Sequence, residues 1–504
     1  MKQEWLDKID ESLVKDFYEI QTETEKEEGF KGSLAFGTAG IRSTFGLGPG
    51  RLNAFTIRKV ALGLAQFLRS KIDSPTVVIH FDTRFLSKAF SQEMASVLAN
   101  NNVIPILSED YKSTPELSFA VRHLNADAGV MITASHNPKN YNGIKIYDEK
   151  GGQLLPDESE QLSNYINTIE SPLSIKKGDF EVLKENNRIK YITSEVTEKY
   201  KSEVKDLVGS IDEKGAKVVL TSLHGTSLPL VSNILTELDY QNFVIEEEQS
   251  TPDGNFPTVE IANPEDETAF NYGLALAEKT DAQLIIATDP DADRFGFIER
   301  YGKNEYRYFN GNEIGLLFMK LRFQELVEAG APLYIIKSIV TSELAERLAL
   351  ALDVQVNNVL TGFKCISDLI EQIDSCHSNI ISKLPVFGRA LSDLSFYISL
   401  PAERAITTKI LNLNLKFIVD GEENEGLKKV VSEALETATR ELYFKRIALH
   451  LTGAISANLK KNNYGQGSIT LACRMIGTLA KRFESISNHE LRKMSQIDQK
   501  EAPS

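Results

Sequence analysis

The sequence predicts an α/β protein: three similar α/β domains with mixed, largely parallel sheets. Two observations carry this. A strand–loop–helix–strand unit recurs three times at wide intervals, and two apolar strands run directly into polar loops rich in Ser, Asn and Asp. At 504 residues the chain has room for several cores.

Residues 1–31 are mostly charged, with Trp5, Ile9, Leu13 and Phe17 at helical intervals, which predicts a leading surface helix. The run Phe36-Gly37-Thr38-Ala39-Gly40-Ile41-Arg42, with Gly46, Gly48, Pro49 and Gly50 after it, predicts a loop with exposed backbone. The first repeat is the strand Val77–His80, the loop Phe81–Arg84, a helix near 88–100 and the strand Val103–Leu107. The second is Val218–Leu220, the loop Leu223–Ser227, a helix near 228–239 and Phe243–Ile245. The third is Leu333–Ile336, the loop Lys337–Ser342, a helix near 342–352 and Val354–Val356. Repeats this widely spaced imply separate domains, because the units of a solenoid are much shorter. Residues 168–215, rich in Lys and Glu, fit a linking helix pair, and residues 495–504 a frayed tail.

Composition narrows the class. The chain is 42% hydrophobic and 25% charged, ordinary for a globular protein. A net charge of −15 argues against a nucleic-acid partner and against rest on an anionic membrane. A small anionic substrate remains compatible, since local cations can meet its charge. Three cysteines, an N-terminus without an apolar signal core and the lack of a long apolar run predict a cytoplasmic enzyme.

Two motifs carry chemistry. In Gly129-Val130-Met131-Ile132-Thr133-Ala134-Ser135-His136-Asn137-Pro138, a buried strand ends at Ser135, the position where α/β folds keep their ligands. A serine hydroxyl needs a base or a metal to act as nucleophile, and the alternative is a plain strand-end turn. The strand Leu284–Ala287 leads into Thr288-Asp289-Pro290-Asp291-Ala292-Asp293-Arg294, whose alternate carboxylates can converge on one hard cation. A calcium loop of the helix-loop-helix kind would need Gly at its sixth and Glu at its twelfth position, where Arg294 and Arg300 stand. A few carboxylates with open positions favour Mg²⁺ shared with a phosphate. A phosphate on Ser135 would supply a further oxygen to that metal, and Arg294 would add positive charge. Lys145, in Asn142-Gly143-Ile144-Lys145, is a candidate to meet phosphate or to act as acid or base. Thr361-Gly362-Phe363-Lys364 reads as a Gly turn before a helix, and helix N-termini bind anions. Gly421-Glu422-Glu423-Asn424 is either a loop that grips sugar hydroxyls or an acidic turn, and His80 and His224 read as structural or as supports behind the site residues.

Together these segments resemble the α-D-phosphohexomutases, and most of all their phosphoglucomutase branch, which includes the phosphomannomutases. The likeness runs from about residue 34 to about 375 and includes Asp82-Thr83-Arg84, Leu223-His224-Gly225, Phe256-Pro257-Thr258 and Asn263-Pro264-Glu265. The resemblance implies an intramolecular phosphotransferase of carbohydrate metabolism that interconverts glucose 1-phosphate and glucose 6-phosphate. Ser135 would be the phosphoserine, with glucose 1,6-bisphosphate as intermediate and activator. It implies Ser135, His136, Lys145 and Arg42 as catalytic residues, and Ser135, Asp289, Asp291 and Asp293 as Mg²⁺ ligands. Thr38, Arg42, Ser135, His136, Lys145, Asp293, Arg294, Thr361, Gly362, Lys364, Glu422 and Asn424 would line the substrate.

The implied domains are residues 1–205 with the phosphoserine loop, 206–312 with the metal loop, 313–490 with the sugar loop, and a tail at 491–504. After about residue 375 the pattern weakens. The sugar loop's nearest counterpart, Gly421–Asn424, comes late, and the Arg-Pro-Ser-Gly-Thr-Glu-Pro loop of the family's fourth, phosphate-binding domain is not recognisable. Such a loop normally anchors the phosphate that is not reacting, so positioning is what its loss would weaken. The alternatives are therefore a phosphomannomutase, a catalytically weakened sugar-phosphate-binding relative, or a metal-dependent phosphatase.

Overall fold

A computed structural model describes residues 2–37, 40–209, 211, 214–328, 334–352, 354–376 and 397–399, all within one unit, Met1–Pro401. Three mixed sheets organise it. The first comprises β1 (Ile41–Thr44), β2 (Thr76–Phe81), β3 (Ile104–Leu107), β4 (Ala128–Ile132), β5 (Tyr141–Tyr147) and β6 (Lys190–Tyr191), in the order β1-β5-β4-β2-β3-β6. Its centre is parallel: β2 pairs with β3 and β4, and β3 with β6. At the other side β5 runs antiparallel to β4 and β1. The second comprises β7 (Val218–Thr221), β8 (Phe243–Ile245), β9 (Leu284–Thr288), β10 (Phe295–Gly302) and β11 (Glu305–Phe309), in the order β11-β10-β9-β7-β8. The third has β12 (Tyr334–Ser338) between β13 (Gln355–Val359) and β14 (Tyr397–Ser399).

Each sheet is covered on both faces, and strand alternation explains how. Successive side chains on a strand point to opposite faces. In the first sheet Val77, Ile79, Val130 and Ile132 pack with Leu64, Val97 and Leu162 from helices Ala54–Arg69, Ser87–Asn100 and Pro156–Asn167. Their neighbours Val78 and Met131 pack with Leu117, Phe119, Val196 and Tyr200 on the other face. The second sheet divides likewise, with Val219, Ile285 and Ala287 against Phe270 and Ala277, and Val218 and Leu220 against Leu228 and Tyr240. In the third, Ile335 and Val356 pack with Met319, Ala345 and Ala349, whereas Ile336 packs with Ile366 and Ile370. Strands buried on both faces read as unbroken apolar runs, which is how β2, β7 and β9 look in the sequence.

The α/β class and all three predicted repeats are present. Their helices run Ser87–Asn100, Leu228–Glu237 and Glu343–Ala351. One local expectation needs correction. Residues 1–31 form not one helix but the short segments Lys2–Leu6, Ile9–Glu11, Lys15–Glu19 and Glu23–Glu28. Leu13 sits at φ +65°, a left-handed backbone that ends a helix, and Trp5 is buried against Phe55 and Phe30 rather than lying on a surface face. The linking region 168–215 holds the expected helices, Phe180–Glu185 and Ser194–Val208, with β6 between them added to the edge of the first sheet; Val196, Tyr200 and Val204 of the second helix pack with Phe119 of the first layer and Ile234 of the second. Among the described residues no helix is long and apolar enough to cross a membrane.

Candidate active site

The site forms where two strand ends meet. Ser135 follows β4, and Asp289 follows β9 directly. Both loops leave the carboxyl ends of parallel strands, where main-chain amides and polar side chains can face a ligand. Ser135 Oγ donates to Asp289 Oδ2 at 2.8 Å and also contacts Arg294 Nη1 and His136 Nδ1, the latter at 3.3 Å. Arg294 Nη1 in turn reaches His136 Nδ1, and it lies 3.3 Å from Asp289 Oδ2. Ser135 is buried, and its hydroxyl is enclosed by these three side chains.

The serine loop is held in an unusual shape. Ser135 takes φ +54°, a left-handed conformation that costs on the order of 1–3 kcal/mol for a residue with a Cβ. Its N–H donates to Thr133 Oγ1 at 2.8 Å. Its carbonyl accepts from Arg84 Nε at 3.2 Å, and the same guanidinium reaches the carbonyls of Asn137, Pro138 and Tyr141. Arg84 is buried, lies over the Phe256 ring at 5.0 Å, and is 3.5 Å from Asp82. Burial pushes the Asp82 carboxyl above its ordinary pKa, and Arg84 opposes that shift. One planar fork thus ties down most of the loop's carbonyls, which a lysine ammonium would not match. Arg42 donates to Asn137 Oδ1 at 3.1 Å from the neighbouring β1.

The acidic loop is pinned from within. Asp289 Oδ1 accepts from the N–H groups of Asp293 and Arg294 at 3.1 and 3.0 Å, and Ala292 turns the chain at φ +53°. Gly225 presses against it: a Cβ there would lie 2.6 Å from Pro290 Cα, so only glycine fits. Lys145 on β5 reaches Asp291 Oδ2 at 2.7 Å and Asp293 Oδ2 at 3.1 Å. Burial opposes the Lys145 charge, but the two carboxylates outweigh it and raise its pKa. Burial likewise opposes the Asp291 charge, and Lys145 overrides it, holding that carboxyl below its usual range. Asp289 is left with its pKa well above the ordinary value, through burial and repulsion from Asp291 and Asp293. His136 is lowered to about 4 by burial, then by Arg294 and Arg42, so its ring is neutral near pH 7.

These three carboxylates fit a cation. Each offers an oxygen within 4.8 Å of the others, and they are the one such group among the described residues. Asp291 Oδ1 and Asp293 Oδ1 are buried without a hydrogen-bond partner, a costly condition that a metal ion would relieve. Sequence reasoning thus brought together residues that do meet: Ser135, His136, Lys145, Asp289, Asp291, Asp293 and Arg294. Thr361, Gly362 and Lys364 belong to the third sheet's layer, where Gly362 takes φ +106° after β13 and the helix Phe363–Cys376 begins. Thr38, Glu422 and Asn424 lie outside the described residues. His224 is tied within the second layer: its ring nitrogens meet Thr251 O at 3.0 Å and Thr258 Oγ1 at 2.9 Å, which fits a structural or supporting role. Two contributors carried no assigned role in the sequence reading. Arg84 was visible only within Asp82-Thr83-Arg84. Thr114, whose hydroxyl donates to Asp291 Oδ2 at 2.8 Å, was missed; the local signal that could have drawn attention to it is the capping box at Ser113-Thr114-Pro115-Glu116.

Comparison with known proteins gives the family. Residues 33–173 match the family model for phosphoglucomutase/phosphomannomutase alpha/beta/alpha domain I, and residues 197–302 match that for domain II. A phosphoglucomutase from Staphylococcus saprophyticus is 76% identical over 371 residues, which span 74% of this chain and 67% of the relative. One from Staphylococcus aureus strain MRSA252 is 49% identical over 381 residues, spanning 75% of this chain and 68% of the relative. A solved structure of a phosphoglucomutase/phosphomannomutase family protein from Burkholderia thailandensis shares the fold at a TM-score of 0.54 and 19% identity, over 67% of this chain and 68% of that one. The fold and its relatives define an enzyme of the phosphoryl-transferring isomerase class. Within it, the chain belongs to the phosphoglucomutase/phosphomannomutase family of α-D-phosphohexomutases.

Proposed function

We propose that this chain is a phosphoglucomutase, interconverting glucose 1-phosphate and glucose 6-phosphate in the cytoplasm, with glucose 1,6-bisphosphate as intermediate and activator. The observation that carries the reading is the meeting of Ser135 with Asp289 and Arg294 in one buried cluster. The names of the relatives favour glucose over mannose phosphates. In this reading residues 1–205, 206–312 and 313–490 are the three domains and 491–504 the tail.

A phosphoryl group on Ser135 Oγ passes to a free sugar hydroxyl: the new P–O bond forms as the P–Oγ bond breaks, and the proton lost by the sugar hydroxyl ends on the freed Ser135 Oγ. The bisphosphorylated sugar turns round, and its other phosphoryl group returns to Ser135. Arg294, already at Oγ, meets the charge on the transferring group, where fixed donors act most strongly. Arg42 and the neutral His136 ring orient its oxygens. Lys145 stays protonated between Asp291 and Asp293 and sets the charge of the acidic loop. Asp289, Asp291 and Asp293 would hold Mg²⁺, which supplies charge neutralisation on the phosphoryl group when bound. Thr38, Thr361, Gly362, Lys364, Glu422 and Asn424 complete the substrate contacts in this reading.

The test is turnover by the purified chain. With glucose 1-phosphate, Mg²⁺ and a trace of glucose 1,6-bisphosphate, glucose 6-phosphate should accumulate steadily, stop on chelation, and form faster than the mannose product from mannose 1-phosphate. Release of inorganic phosphate without isomerisation would replace the mutase reading with a phosphatase.

A further inference from the structure

We propose that Thr114, at the start of the helix Thr114–His123 in the first layer, is a positioning residue for the metal site carried by the second. This rests on the reading of Asp289, Asp291 and Asp293 as metal ligands. Thr114 grips Asp291 twice. Its N–H donates to the Asp291 carbonyl at 2.9 Å, and its hydroxyl donates to Asp291 Oδ2 at 2.8 Å. The two residues are 177 positions apart, so the pair joins the layers bearing the serine and the acidic loop.

The division of labour on the carboxylate is the point. Oδ2 takes Thr114 and Lys145, while Oδ1 is buried and unpartnered. One oxygen is thereby fixed by the protein and the other is presented to a cation. Lys145 alone would not fix this orientation, because its single ammonium is shared with Asp293 and sits on a flexible stem. Thr114 is rigid: its backbone is the first turn of a helix whose cap, Ser113, forms a reciprocal box with Glu116, and its χ1 is restricted by branching. Partners that orient a metal-binding carboxylate typically govern affinity by 10- to 100-fold. Thr114 therefore couples the seating of the two layers to the metal: a layer that drifts loses both grips on Asp291 together.

The experiment is Mg²⁺ binding to the full chain by titration calorimetry, alongside far-UV circular dichroism. Thr114→Val keeps the backbone grip and the shape but removes the hydroxyl. It should bind Mg²⁺ roughly 10- to 100-fold more weakly with an unchanged spectrum, and Thr114→Ser should restore most of the affinity. Wild-type affinity in folded Thr114→Val overturns the proposal, as does a Thr114→Ser variant as weak as Val. Failure of the wild-type chain itself to bind Mg²⁺ would instead overturn the metal reading beneath it.

Discussion

The hydroxyl of Ser135 donates to Asp289 across 2.8 Å, joining positions 154 residues apart. That bond ties the serine loop on one sheet to the acidic loop on another, so most of the behaviour expected of the proposed site follows from it.

Ser135→Ala should abolish turnover and leave the fold intact. The strained loop is held through the Ser135 N–H and carbonyl, which alanine retains. We expect a loss of at least about 1000-fold in kcat, as for other nucleophile deletions, with an unchanged circular dichroism spectrum. Retained turnover would remove Ser135 from the mechanism.

Asp291→Asn should raise the Mg²⁺ concentration for half-maximal rate by more than roughly 10-fold. It replaces a charged carboxylate, proposed as a ligand, whose Oδ1 has no hydrogen-bond partner. An unchanged Mg²⁺ titration would mean that the acidic loop is a plain turn.

Arg84→Lys keeps the charge beside Asp82 but not the planar fork that reaches four loop carbonyls. The serine would shift while substrate contacts elsewhere persist. A drop in kcat of about 100-fold with KM nearly constant is expected from steady-state kinetics. Equal effects on both would place Arg84 in substrate binding.

Stability should fall with acid partly through His80. Burial, then the nearby Lys112 charge, lowers its pKa from 6.5 to about 3. Below pH 6.5 the unfolded chain takes up a proton that the native chain refuses, so stability present above pH 6.5 is lost as pH falls toward 3. Wild type should lose about 2 kcal/mol more than His80→Leu between pH 6.5 and 5, read from urea midpoints. Parallel losses would show that His80 is protonated in the native state.

Much of this site was legible because its chemistry lies in contiguous runs. Ser135 and the acidic loop each follow an apolar strand, and strand ends are readable from period and punctuation. The repeats were legible for the same reason, since strands buried on both faces are unbroken apolar runs. What escaped depends on distant pairing. Arg84 acts on carbonyls contributed by residues from Ser135 to Tyr141, and Thr114 acts on a loop in the next layer. No local pattern records such partners. The leading helix failed on a related point: Trp5 and Phe17 do recur at helical intervals, but each packs into a different aromatic cluster, Trp5 with Phe55 and Phe17 with Phe45. Tertiary packing bends the chain at Leu13 to satisfy both.

The most direct measurement is of the phosphoryl group itself. The chain is incubated with radiolabelled glucose 1,6-bisphosphate and Mg²⁺, the peptide containing Ser135 is isolated, and a second sample is chased with unlabelled glucose 1-phosphate. Label on Ser135 that leaves into glucose phosphates as fast as turnover proceeds is the predicted result. Label on another residue, or label on Ser135 that survives the chase while isomerisation continues, would contradict the account.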